Sequence, residues 1–312
     1  MPTDSAAGRR SADNLWKRFW GRHNDRAGYL FTLPAGLHLA VFVLVPILFS
    51  VYLSFHEWTS PRFLDAPFVG LQNYAKLIGD VPFWHAVKNT LIYTFVSVPF
   101  GMAVSLFLAV IVNRRIPGIN VFRAVFFLPV ITSWVAVSVI WITLLAPDGG
   151  LLNYLFGQVG LPGQHWLDSE RWAMFAIIVI TVWKGAGFQM VIWMAGLQSV
   201  PTEILEAASI DGAGKFRSFW HVTVPLLFPT TFFLLVTGVI GGLQVFTPMY
   251  VITKGGPLGA TDVAVYHIYK RAFQEFSMGY ASAQAWVLFG IIFLATLIQL
   301  AYAKRRGESA LA

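Results

Sequence analysis

Glu206-Ala207-Ala208-Ser209-Ile210-Asp211-Gly212, closed downstream by Val222-Thr223-Val224-Pro225, is a polar stretch set between long apolar runs. Pro201 suits the first turn of a short helix, where its missing N–H costs nothing, and Glu203 and Glu206 favour that helix's positive end. Gly212 and Gly214 are placed to stop it, because glycine takes the left-handed geometry of a helix C-terminus readily. Ile204, Leu205 and Ala208 fall on one face at helical spacing. The expectation is a short helix held between two membrane spans, with an apolar face shaped for a partner's socket. An ordinary inter-helix loop has the same composition, so the residues alone leave both readings open.

Composition places the stretch in a membrane protein. Of the 312 residues, 56% are hydrophobic and 12% charged, against about 25% charged in soluble domains. That is too little polar surface to cover a water-soluble chain. Apolar runs over 29–55, 83–112, 121–145, 172–197, 224–252 and 281–302 are each near the roughly 20 residues that cross hydrocarbon. Turn-rich external segments are expected at 56–82, 146–171 and 253–280. The chain therefore divides into a basic segment 1–28, a transmembrane domain 29–303 with the polar loop at about 200–222, and a tail 304–312. Lys and Arg concentrate in the N-terminal segment, at 114–123, at 215–217 and at 304–306, which puts both termini and the loop in the cytoplasm. The net charge of +7 is explained by this orientation, and no nucleic-acid partner is expected.

Bond chemistry is missing from the pattern. Gly212-Ala213-Gly214-Lys215 fails as a phosphate loop, since Ser209 stands where the first glycine should be and Phe216 where magnesium needs Ser or Thr. The chain has no cysteine, its histidines lack metal spacing, and no nucleophile–base pair can be assembled. No catalytic residue, metal or cofactor is expected on this chain. Lys184 is the one formally charged residue well inside an expected span, a costly position that points to a cavity or partner. Beside it stand Trp183, Gly185, Gly187 and Gln189, the aromatic faces and amides that carbohydrate sites combine. A structural lysine bonded to backbone carbonyls is the competing reading. Gln244 is the third candidate for a pathway contact, while Gly238 and Gly242 have the small-xxx-small spacing of close helix packing.

Glu-Ala-Ala, three residues, Gly, nine residues and an aliphatic-x-aliphatic-Pro closure resembles the cytoplasmic signature of permease subunits of binding-protein-dependent ABC importers. Val222 and Val224 replace the usual Ile and Leu. Phe68-Val69-Gly70-Leu71-Gln72-Asn73-Tyr74, Asn89-Thr90 and Tyr250 to Pro257 extend the resemblance to the maltose and glycerol-3-phosphate importer branch, from about Tyr29 onward. It departs at Thr247-Pro248, where relatives often carry an acidic residue. The resemblance implies an all-α integral membrane protein of the type I importer permease fold, in a bacterial-type inner membrane. It also implies that Glu206, Ala207, Ala208, Asp211, Gly212 and Pro225 serve coupling to an ATPase. Implied partners are a sister permease in a heterodimer, two ATPase subunits holding ATP and Mg, an extracytoplasmic solute-binding protein, and membrane lipid. The implied cargo is a sugar or sugar-like solute, with a glycerophosphodiester or glycerol-3-phosphate as alternative. An ion-coupled secondary transporter is disfavoured, because internal repeats and intramembrane acids are not evident.

Overall fold

In the computed structural model the described residues are 28–29, 31–59, 66–113 and 117–305. The basic segment to residue 27, Asp65, Arg114, Arg115 and residues 306–312 lie outside them. Four helices are long and apolar enough to cross a membrane unbroken: α1 (Phe31–Ser54), α3 (Val81–Val112), α7 (Ala173–Gln198) and α12 (Met278–Arg305). A short helix, α2 (Gln72–Ile78), precedes α3. The residues of the other two expected spans each form a pair of helices bent at a break.

The first break separates α4 (Ile119–Ile131) from α5 (Trp134–Leu144) at 98°. Thr132 and Ser133 are extended there, and the Ser133 hydroxyl accepts the Val135 N–H at 3.3 Å, so the break ends one helix and caps the next. Pro129 sits in the last turn of α4 and lacks an N–H for the helix ladder. An apolar run is blind to such a turn, because hydropathy records length and not direction. The second break, of 63°, lies at Leu227 between α9 (Lys215–Leu226) and α10 (Phe228–Leu243), flanked by Pro225 and Pro229. The expected span 224–252 is therefore corrected. Its helix ends at Leu243 with Gln244 as C-cap, and Met249–Thr253 forms a separate π-helical turn.

Helix α3 is the central element, packed on α7 along much of its length and on α10, while α12 packs on α1 and α4 on α7. Glycines set the closest contacts. A Cβ on Gly242 of α10 would stand 2.8 Å from the Thr94 side chain of α3, and one on Gly238 2.9 Å from Val98. The small-xxx-small pair thus joins two helices of this chain. At Gly187 the added Cβ would come within 2.2 Å of the Phe126 carbonyl oxygen, which brings α7 against the backbone of α4.

The loop before α11 (Ala264–Tyr269) is fastened to α3. Asn89 donates to the carbonyls of Gly259 and Asp262 at 2.9 and 3.0 Å, and Thr90 Oγ1 accepts the Ala264 N–H at 2.8 Å. Asp262 in turn accepts from Lys270 at 2.9 Å and His267 Nδ1 at 3.0 Å. Burial alone pushes the Asp262 carboxyl up, but these bonds outweigh it and hold the group below its ordinary value.

The glycine contacts generate a paired prediction. Gly242→Val should lower stability by about 1–3 kcal/mol through overpacking. Gly241→Val, whose Cβ meets nothing within 4 Å, should not. Thermal unfolding of both variants in detergent checks the contrast.

Candidate functional site

The Glu-Ala-Ala stretch forms helix α8 (Thr202–Ile210), with Pro201 extended as its N-cap and Glu203 in its first turn. Its end is a double-bonded turn. Asp211 is the C-cap and Gly212 takes φ +80°. Ala213 N–H reaches the Ala208 carbonyl at 2.9 Å, and Gly212 N–H reaches Ser209 at 3.1 Å. This is the Schellman arrangement, which satisfies carbonyls a helix end otherwise leaves open. Gly214 does not help to stop the helix; it is extended and caps α9.

Burial divides α8 differently from its apolar spacing. Leu205 and Ala208 are half-buried, and Leu205 joins the core cluster of Val112, Met190, Trp193, Val200 and Leu227. Glu206, Ala207, Asp211, Gly212 and Pro225 are exposed. So is Ile204, and Ile210 and Phe216 are 86% and 78% exposed. The face expected to meet a partner is thus partly spent on holding the helix to its own bundle. The apolar side left open carries Ile204, Ile210 and Phe216, and the last two were missed because they sit off the Leu205–Ala208 face.

A groove of about 220 Å³ opens between α3, α7 and α10. Tyr93, Ser97 and Gly101 line it from α3, and Thr181, Gly185 and Gln189 from α7. Each set recurs every four residues, so each forms a small or polar stripe along an apolar helix. The stripe was legible in the sequence at Tyr93, Ser97, Gly101 and Ser105, and it was missed. Gln189 Oε1 accepts from Ser105 Oγ at 3.1 Å, and Ser105 Oγ accepts the Trp193 indole N–H at 3.1 Å. Gln244 lies beyond this wall, exposed, just past Gly241 and Gly242.

Lys184, grouped in sequence with Gln189 and Gln244, is not among the residues that line this groove. It is buried on another side of α7, and its Nζ donates to the carbonyls of Pro129 and Thr132 at 2.7 Å each, with Val130 at 3.4 Å. The ammonium also stands 5.1 Å from the Trp134 ring centroid. A cation at the C-terminal end of α4 meets both the freed carbonyls and the negative end of the helix dipole. The lysine therefore seals the 98° break.

Residues 90–307 match the family described as binding-protein-dependent transport system inner membrane component. The chain is 38% identical to the probable ABC transporter permease protein YesP of Bacillus subtilis, covering 92% of this chain and 93% of that protein. It is 34% identical to the arabinooligosaccharides transport system permease protein AraP of the same organism, over 88% and 87%. It is 32% identical to the sn-glycerol-3-phosphate transport system permease protein UgpA of Yersinia pestis, over 89% and 94%. Among solved structures, a bacterial ABC transporter that imports alginate superposes with a TM-score of 0.80 at 24% identity, covering 94% of this chain and 99% of that one.

The lysine seal predicts how its loss will read out. Lys184→Met removes charge-assisted bonds to the Pro129 and Thr132 carbonyls, at about 1–3 kcal/mol in total, while the Pro129 carbonyl keeps the Thr132 hydroxyl at 2.6 Å. The variant should melt earlier in detergent and accumulate poorly in membranes. Normal melting with a selective loss of transport would return Lys184 to the pathway.

Proposed function

The chain belongs to the family of binding-protein-dependent transport system inner membrane components, and from that premise we propose that it forms half of the path for a sugar or oligosaccharide. It is a multi-pass membrane permease subunit. The solute is delivered by an extracytoplasmic binding protein, a sister permease supplies the other half of the path, and two ATPase subunits supply the energy. ATP and Mg belong to those subunits. Both termini and Glu206 face the cytoplasm, whereas Asp148 and Gly256 face outward, an orientation supported by the clusters of Lys and Arg.

The groove carries the sugar reading. Its lining combines an aromatic ring, hydroxyls, an amide and open backbone at Gly185 and Gly241, without Lys or Arg. Rings suit the C–H face of a pyranose and amides suit its hydroxyls, while a phosphate ester calls for cations. Lys184, the nearest cation by sequence, is committed to carbonyls. The likeness to an arabinooligosaccharide permease supports the same class.

Helix α8 is the coupling element in this proposal. ATP binding moves a docked helix only if the helix is rigid and differentially bound in the two states. The Schellman end and the Leu205 anchor support rigidity, and Ile204, Ile210 and Phe216 offer the apolar surface that docking would bury. Ile210→Asp should cost about 2 kcal/mol of docking affinity, roughly thirty-fold in Kd. Gly212→Val should also uncouple the transporter, because a branched Cβ resists the left-handed region.

The test is reconstitution with the sister permease, ATPase and binding protein, measuring uptake of labelled oligosaccharide and of glycerol-3-phosphate. Gly185→Leu should abolish most oligosaccharide uptake while ATPase pull-down stays intact, since its Cβ meets no atom within 4 Å. Ile210→Asp should lose the pull-down. Uptake of glycerol-3-phosphate without oligosaccharide would overturn the sugar class, and unchanged ATPase capture by Ile210→Asp would overturn the docking face.

A further inference from the structure

We infer that the external segment 149–164 is a preformed finger seated in the outer leaflet at the membrane–water boundary. Its sequence suggests a wet loop, because it opens on Pro147-Asp148-Gly149-Gly150. Yet no Asp, Glu, Lys or Arg occurs between Asp148 and Asp168, whereas the external segments 56–82 and 253–280 each carry several. The finger contains helix α6 (Leu151–Gln158), followed by a turn that runs back toward α7.

Helix α6 is apolar on both sides. Leu152 and Phe156 face the protein, in the cluster of Val137, Leu145, Trp166 and Ile180. Phe156 meets Trp166 edge-on at 5.2 Å. On the other side Leu151, Tyr154, Leu155, Val159 and Leu161 are 51–71% exposed. This exposure is not a loose loop's. Asn153 clamps both arms, donating to the carbonyls of Pro147 and Gln164 at 3.0 and 2.9 Å. Its Oδ1 accepts the Gln164 N–H at 3.0 Å and the Trp166 indole N–H at 2.8 Å. The apolar face is therefore held open by a fully used amide, a rigid surface that needs a cover.

Lipid is the occupant the surroundings select. The finger leaves the outer end of α5, whose Val135, Val139 and Ile142 are exposed along a membrane span, so its apolar face continues a surface that ends at the headgroups. A helix with bare apolar residues at this level lies in the interface, with an aromatic such as Tyr154 at headgroup depth. A soluble protein that docks and leaves would expose the same residues to water in every cycle. Lipid covers them throughout.

The absence of cysteine allows a direct test on the full chain in phosphatidylcholine–phosphatidylglycerol vesicles. Leu151→Cys, Leu155→Cys and Val159→Cys are each nitroxide-labelled, with Val139→Cys as the hydrocarbon reference and Glu170→Cys as the aqueous one. Collision with oxygen reports lipid, and collision with a nickel chelate reports water. At the finger positions oxygen should exceed nickel, the reverse of Glu170. Nickel access equal to that of Glu170 overturns the proposal in favour of a wet loop. Exclusion of both probes with an immobilised spectrum overturns it in favour of burial against another protein chain. Three independent positions keep the test decisive if one variant fails to fold.

Discussion

A backbone that turns inside hydrocarbon must find partners for every carbonyl it frees, because no water is there to supply them. The 98° break between α4 and α5 meets that demand with the Lys184 ammonium, bonded to the carbonyls of Pro129 and Thr132, and with the Thr132 hydroxyl, which donates to Pro129 at 2.6 Å. Helix α7 is therefore a two-sided spine. On one side Lys184 and Gly187 hold the broken span close, through carbonyl bonds and a backbone contact that excludes any Cβ. On another side Thr181, Gly185 and Gln189 form a wall of the groove. The cation bonds the broken span from the helix that carries this wall.

The groove and helix α8 share one body of packing. Leu205 of α8 sits in the cluster that contains Met190 and Trp193 of α7, and Trp193 bonds Ser105, which bonds Gln189 at the groove. Helix α8 thus rests on the same core that shapes the groove. The 63° break at Leu227 lies in that cluster as well, so the bend into α10 and helix α8 share one core. At the far end, Asn89 and Thr90 tie the loop before α11 to α3 through hydrogen bonds to its backbone.

The membrane class, the number of apolar runs and the polar loop between two of them were legible in the sequence, because they depend on local composition and on length against bilayer thickness. Helix α8 was legible too, in Pro201, Glu203 and Gly212, since caps and left-handed turns are decided within a few residues. The small-xxx-small spacing of Gly238 and Gly242 announced close packing, but not that Thr94 and Val98 of the same chain receive it. What only the tertiary structure decided is which way things face. An apolar run carries no record of a turn within it, so the breaks at 132–133 and 227 were read as continuous spans. A charge inside a run signals a polar partner without saying whether that partner is solute or backbone. The answer for Lys184 lay more than fifty residues away, at the carbonyls of Pro129 and Thr132. In an apolar solvent, hydropathy fixes depth, and only packing fixes direction.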